Sequence, residues 1–101
     1  MKPRIVKDFE KLSEELIALI KLEYPYGFDK KLIQFKNKEG KFVSALPYET
    51  DDHYYLVRMT RVEALQIVDE DDDYDDDGNL TEEAKDNLEE MVDPSTEEDD
   101  D

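Results

Sequence analysis

Residues 32–59 have the sequence LIQFKNKEGKFVSALPYETDDHYYLVRM. This stretch contains three β-prone runs separated by polar loops: Leu32–Lys36, Lys41–Leu46 and His53–Met59. The first loop, Asn37–Gly40, ends in glycine and is typical of a hairpin turn. Pro47 lacks a backbone N–H group, so it should end the second strand or place that strand at a sheet edge. The stretch therefore predicts a three-stranded antiparallel meander.

The segment before the strands predicts a helix that packs across the meander. Its apolar residues recur at three- and four-residue spacing, as on one face of a helix: Phe9, Leu12, Leu16, Leu19 and Ile20. Ser13 precedes two glutamates and is a candidate N-cap, so Asp8–Leu12 should form a turn before the helix begins. Pro25 disfavours helical geometry at Tyr24, where the helix should end.

A second, short helix is predicted after the third strand. Thr60 and Glu63 have the spacing of a capping box, which favours a helix over about Arg61–Val68. Val62, Leu65 and Val68 would face inward, although the same residues could continue a strand. The predicted fold class is α+β, with an N-terminal helix on the meander, a short helix after strand 3, an acidic loop and a C-terminal helix.

Charge divides the chain at Val68. The net charge of the whole chain is −17. Residues 1–68 contain twelve Lys and Arg and eleven Asp and Glu, which gives them a net charge of +1. Residues 69–101 contain nineteen acids and one lysine, a net of −18. We therefore predict a compact α+β body over residues 1–68 and an acidic C-terminal segment over residues 69–101.

The acidic segment itself has three predicted parts. Residues 69–78 contain eight carboxylates and should repel one another into an extended loop. Thr81 is a candidate N-cap for a helix over about residues 81–92, with a thin apolar stripe: Ala84, Leu88, Met91 and Val92. Pro94 ends this helix, and residues 94–101 are expected to be a disordered tail.

Several function classes are excluded or disfavoured by residue type. The chain has no cysteine, which rules out disulfides and Cys-based zinc sites. It has one histidine and three isolated glycines, so no catalytic residues and no phosphate-binding loop are predicted. No signal peptide or membrane-spanning run is evident, and we expect a cytoplasmic, non-enzymatic protein that does not act in the membrane.

Residues 73–81 resemble the first nine positions of an EF-hand calcium loop, with Gly78 at the sharp turn. The candidate metal ligands are Asp73, Asp75, Asp77, Asn79 and Thr81. Position twelve, which should be a bidentate glutamate, is Ala84. Alternate acids also arise by chance in so acidic a run, with Gly78-Asn79 a simple turn. Calcium bound through residues 73–84 is therefore an alternative function, and no other cofactor is expected.

Five lysines lie in and near the predicted hairpin and form a candidate interaction site: Lys30, Lys31, Lys36, Lys38 and Lys41. With the neighbouring Phe35 and Phe42 they could contact nucleic acid, which is a second alternative. Lysine is also common on exposed strands, where it prevents edge-to-edge association, and a net of +1 is far from a basic domain. The acidic segment could also fold back onto these lysines.

The turn Tyr24–Phe28 is rich in aromatic residues. We expect its rings to cap the core of a small domain, with an aromatic binding surface as the alternative.

Short motifs along most of the chain resemble small acidic proteins of Bacteroidetes-type bacteria. They stand ahead of the aspartate run: Lys2–Val6, Tyr24–Gly27, Ser44–Pro47 and Tyr54–Leu56. The resemblance implies a bacterial, cytoplasmic protein and supplies no catalytic residues.

The leading functional hypothesis is an interaction or regulatory protein. A segment of net −18 attracts cationic surfaces and accelerates encounter with them. We therefore expect the acidic segment to engage a basic protein surface, with direct nucleic-acid contact not expected and a monomer as the expected state. The alternative is that the charge serves solubility alone.

Overall fold

The structure is a computed structural model that describes residues 2–92. These residues form a mixed sheet and helices, so the predicted α+β class is confirmed. The elements are the strands β1 (Arg4–Asp8), β2 (Ile33–Lys36), β3 (Phe42–Glu49) and β4 (Tyr54–Arg58), and the helices α1 (Glu14–Glu23), α2 (Arg61–Glu70) and α3 (Glu82–Met91). The predicted tail, residues 94–101, lies outside the described residues.

The sheet has four strands in the order β1-β4-β3-β2, and the predicted three-stranded meander is wrong in this detail. Strands β2, β3 and β4 pair antiparallel as predicted, but β1 adds a parallel edge beside β4, with Ile5 opposite Tyr55 and Val6 opposite Leu56. Only Ile5 and Val6 are apolar in β1, and two such residues are too weak a local pattern to indicate a strand. The strand forms by pairing with β4, which lies far along the chain.

Pro47 lies within β3 rather than at its end. Strand β2 pairs only with Phe42–Ala45, so β3 has a neighbour on one side alone at Pro47, where it faces Leu56 of β4. The missing N–H group therefore lies on a local sheet edge, which is one of the two placements that the sequence predicts.

The predicted helix caps form as expected. The Ser13 hydroxyl accepts the Leu16 N–H at 3.2 Å at the start of α1. Thr60 and Glu63 form the capping box of α2, so the predicted choice of helix over strand is confirmed.

The buried face of α2 differs from the prediction. Val68 is buried, but Val62 is 72% exposed and Leu65 48% exposed. The buried partner of Val68 is Ala64, one helical turn earlier, because its small side chain lets the helix approach the core closely.

One main core lies between the sheet and the helices. Its fully buried side chains are Ile20, Phe28, Leu46 and Val57. A second cluster, made by Ala18, Leu88 and Val92, joins α3 to the opposite side of α1. The main core also includes residues beyond the charge boundary, namely Tyr74 with Leu80 packed against it. Composition changes at Val68, but packing continues across it.

Candidate functional site

The acidic run after α2 is folded onto the body, which differs from the predicted extended loop. Tyr74 is only 6% exposed, and its ring meets the Phe28 ring edge-on at 6.0 Å. The Tyr74 hydroxyl donates to the Tyr24 carbonyl oxygen at 2.9 Å. Leu80 forms a β-bridge with Tyr74 and donates its N–H to the Pro25 carbonyl oxygen at 2.7 Å. Two apolar residues thus fix a loop that charge alone would extend.

Lys21 of α1 is the second anchor of this loop, and sequence reasoning missed it. Its ammonium lies 2.6 Å from an Asp71 carboxylate oxygen and 2.8 Å from an Asp73 carboxylate oxygen. The Lys21 side chain is 11% exposed. Burial acts to lower the pKa of Lys21, but the hydrogen bonds and charges of Asp71 and Asp73 outweigh it, so the pKa lies above its ordinary value. Lys21 stays charged and neutralises part of the loop.

Tyr74 is protected from ionisation in the same region. Burial, followed by the neighbouring charges of Asp71 and Asp73, raises the pKa of the Tyr74 hydroxyl well above its ordinary value. The hydroxyl therefore remains a hydrogen-bond donor to Tyr24 across the neutral range.

The predicted metal ligands Asp73, Asp75 and Thr81 use their side chains in the protein's own bonds, and Asp77 and Asn79 donate backbone N–H groups. Asp73 pairs with Lys21, and one Asp75 carboxylate oxygen accepts the N–H groups of Asp77 and Asn79, each at 2.9 Å. The Thr81 hydroxyl caps α3 by accepting the Ala84 N–H at 3.1 Å. Across residues 2–92, no three His, Cys, Asp or Glu side chains are grouped as a metal ion requires.

Calcium is expected to act on this loop only as a diffuse counter-ion. A titration followed by NMR in about 0.15 M salt with excess magnesium should give small, non-saturating shifts across residues 69–92. The reason is that Asp73 and Asp75 are already bonded within the protein. Saturable shifts confined to residues 73–84 would instead establish a specific calcium site.

The remaining carboxylates form an acidic surface. Residues 69–92 contain thirteen acids and one lysine, and all the acids except Asp71 and Asp73 belong to exposed residues. Five of them lie on α3: Glu82, Glu83, Asp86, Glu89 and Glu90. At 3.6 residues per turn these five occupy an arc of about 120°. They lie opposite Ala84 and Leu88, which bury the other side of α3 against α1.

The predicted apolar stripe of α3 is mostly present. Ala84, Leu88 and Val92 are buried, whereas Met91 is 48% exposed. We call the five exposed carboxylates of α3 the acidic face. Because α3 packs on α1 through its other side, the acidic face is held in a fixed orientation outward from the body.

The five candidate lysines are all exposed: Lys30, Lys31, Lys36, Lys38 and Lys41. Lys36 lies over the Phe42 ring, with its Nζ atom 5.5 Å from the ring centre. Within residues 2–92, the ion pairs of the acidic segment are made with Lys21 and not with these five. The described part of the segment, up to Val92, folds back onto α1 rather than onto the hairpin.

None of the helices in residues 2–92 has the length and apolarity that crossing a membrane requires.

No protein-family model matches the chain, and no curated protein and no solved structure matches it either.

Proposed function

We propose that this protein is a non-enzymatic interaction protein whose acidic C-terminal segment, residues 69–101, binds a basic surface on a partner protein. The observation that carries the proposal is the acidic face, five exposed carboxylates on one side of a helix whose other side is buried. Charges of one sign on a fixed surface steer cationic partners and set the orientation in which they bind.

Part of the charge arrangement on α3 supports this proposal because it disfavours the helix, whereas Glu82 and Glu83 in the first turn favour it. Glu82 and Asp86, and likewise Asp86 and Glu90, are like charges four residues apart and repel each other. Glu89 and Glu90 also lie in the last turn, where the helix dipole disfavours negative charge. A cationic partner would relieve both effects.

The anchors of the loop also support it. Tyr74 and Lys21 order residues 71–80 before any partner arrives. Binding to an ordered surface avoids the entropy cost of fixing a flexible acidic chain. The partner would therefore meet the loop carboxylates and the acidic face as one arranged set.

The test compares two variants with the same net charge. One removes four carboxylates from the acidic face: Glu83→Gln, Asp86→Asn, Glu89→Gln and Glu90→Gln. The control removes four exposed carboxylates from the body: Glu10→Gln, Glu39→Gln, Asp51→Asn and Asp52→Asn. Binding of a short fluorescent peptide of alternating Lys and Arg is measured by anisotropy over a range of salt concentrations.

The acidic-face variant should bind the peptide about tenfold more weakly than the parent, since each exposed pair contributes roughly 0.2–1 kcal/mol. The control should bind within about twofold of the parent. Equal losses in both variants would mean that the peptide senses total charge and no defined surface, which would refute the proposal.

A further inference from the structure

A cavity of about 420 Å³ opens where the end of α1 meets the end of β3 and the start of β4. Its lining consists of three tyrosines, two glutamates and a proline: Glu23, Tyr24, Pro47, Tyr48, Glu49 and Tyr54. We call it the tyrosine pocket. The lining contains acidic and aromatic residues and no basic residue. That composition differs from an apolar ligand cavity and suits a positively charged group.

The tyrosines of this pocket are held in place by the fold. The Tyr24 hydroxyl donates to the Pro47 carbonyl oxygen, which ties the end of α1 to β3. Tyr48 and Tyr54 lie near the end of the β3–β4 pair, where Tyr54 is opposite Glu49. Burial, followed by the neighbouring Glu23, Tyr54 and Tyr48, raises the pKa of the Tyr24 hydroxyl. The three tyrosines and the two glutamates line one cavity.

Two features of the pocket attract cations. The faces of tyrosine rings carry negative partial charge and bind ammonium and guanidinium groups. The carboxylate of Glu49 already binds one ammonium group, since the Lys2 Nζ atom lies 2.5 Å from its Oε2 atom. One of the two glutamates that line the pocket is thus shown to bind a lysine head group.

Hydrogen bonds at Tyr24 and Pro25 link the pocket to the anchored acidic loop. Tyr24 lines the pocket, and its carbonyl oxygen accepts the hydroxyl of Tyr74 from the centre of the loop. The neighbouring Pro25 accepts the N–H of Leu80, just before α3 begins. The pocket and the loop therefore share Tyr24 as a common point of attachment.

We propose that the tyrosine pocket binds a single lysine or arginine side chain of the basic partner. This inference rests on the proposed function for the identity of the partner. The acidic face supplies long-range attraction, and the tyrosine pocket supplies one specific contact that fixes the register of the bound chain. In the free protein Lys2 forms an ion pair with the Glu49 carboxylate, and the side chain of the partner displaces Lys2 from it.

The direct test uses N-acetyl-arginine amide as the probe and its uncharged analogue N-acetyl-citrulline amide as the control ligand. NMR of the tyrosine rings in about 0.15 M salt should show saturable shifts of Tyr24, Tyr48 and Tyr54 with the arginine probe. The citrulline analogue should produce no saturable shifts. Equal shifts with both ligands, or none with either, would overturn the inference.

Variants then separate the pocket from the acidic face. Glu23→Gln with Tyr54→Leu removes one charge and one ring from the pocket and should weaken arginine-probe binding about tenfold. The matched control is Glu39→Gln with Tyr26→Leu, which removes the same groups from exposed positions outside the pocket; Tyr26 is 80% exposed. This control should bind like the parent, provided that both variants melt like the parent.

The two proposals fail differently in the Lys/Arg peptide assay. If the acidic-face variant binds that peptide poorly while the pocket variant binds it as the parent does, the pocket inference is wrong and the proposed function stands. If the pocket variant loses peptide binding but the acidic-face variant does not, the pocket inference stands and the acidic face is not the docking surface.

Discussion

A chain that ends at Val68 is expected to be largely unfolded. It would lack Tyr74, which covers Phe28 in the main core, and Leu88, which covers Ala18 on α1. Removing a buried aromatic side chain typically costs about 3–5 kcal/mol and removing a buried leucine about 2–5 kcal/mol. Together these losses match the whole stability of a small domain, about 5–15 kcal/mol.

An opposing effect is the relief of charge repulsion. The residues that this chain lacks, 69–101, have a net charge of −18, so their loss lessens the self-repulsion of the folded state. Exposed charges contribute less than about 1 kcal/mol each and are screened by salt, whereas the lost core contacts are not. We therefore expect the packing term to dominate at physiological salt.

The measurement is circular dichroism with thermal melting. The matched control ends at Pro94 and keeps every residue that the structure describes. It should melt cooperatively and within a few degrees of the full chain, because it lacks only residues 95–101. If the chain ending at Val68 melts as cooperatively as this control, residues 1–68 are an independent body and the acidic segment is not part of the core.

The parts of the fold that the sequence predicts correctly all depend on contacts within a few residues. Ser13 caps α1, and Thr60 and Glu63 close the capping box of α2. The hairpin of β2 and β3 follows from two β-prone runs around a glycine turn. In the caps the donor and the acceptor are three residues apart, and in the hairpin the two paired runs follow each other directly in the chain, so the spacing of residue types is enough to identify them.

The parts that it misses depend on partners far apart in the chain. Strand β1 is recognisable only beside β4, and Lys21 finds Asp71 and Asp73 across 50 and 52 positions. Lys21 carries no signal of its own in α1. The local pattern that indicates a folded loop is Tyr74, an aromatic residue in an otherwise charged run. An aromatic ring buries a large apolar area, so its presence favours packing of the loop against the core.

The candidate site divides in the same way. The acidic face follows from helical periodicity, since the buried positions Ala84 and Leu88 leave the carboxylates on the other side. The tyrosine pocket does not follow from any local pattern, because Tyr24, Tyr48 and Tyr54 come from a helix end and two different strands. The aromatic turn indicates only part of it: Phe28 is in the core, Tyr26 is exposed and Tyr24 lines the pocket.

Replacing Lys21 by methionine is expected to lower the free energy of unfolding by about 2–4 kcal/mol. Methionine retains most of the packing of the lysine stem, so the loss comes from leaving the Asp71 and Asp73 carboxylates next to each other without a counter-charge. Removing one partner of a buried ion pair costs about 3–5 kcal/mol. The expected value is somewhat smaller because the Asp73 side chain is 37% exposed and retains contact with water.

A cycle of variants isolates the charge effect from packing. Asp71→Asn with Asp73→Asn leaves the Lys21 ammonium without its carboxylates and should also destabilise the protein. Combining these two changes with Lys21→Met removes all three charges and should recover most of the loss, since an uncharged cluster has no unpaired ion to desolvate. Urea denaturation of the four proteins gives the coupling energy directly.

The pH dependence gives an independent check on the same contact. The folded pKa of Lys21 lies above its ordinary value of 10.5, so the contribution of the ion pair is constant below that pH and is lost as pH rises through the folded value. The stability difference between the parent and Lys21→Met should therefore be flat from neutral pH to about pH 10 and shrink above it. A difference that is near zero at neutral pH would mean that Lys21 does not hold the loop, and Tyr74 alone would then be its anchor.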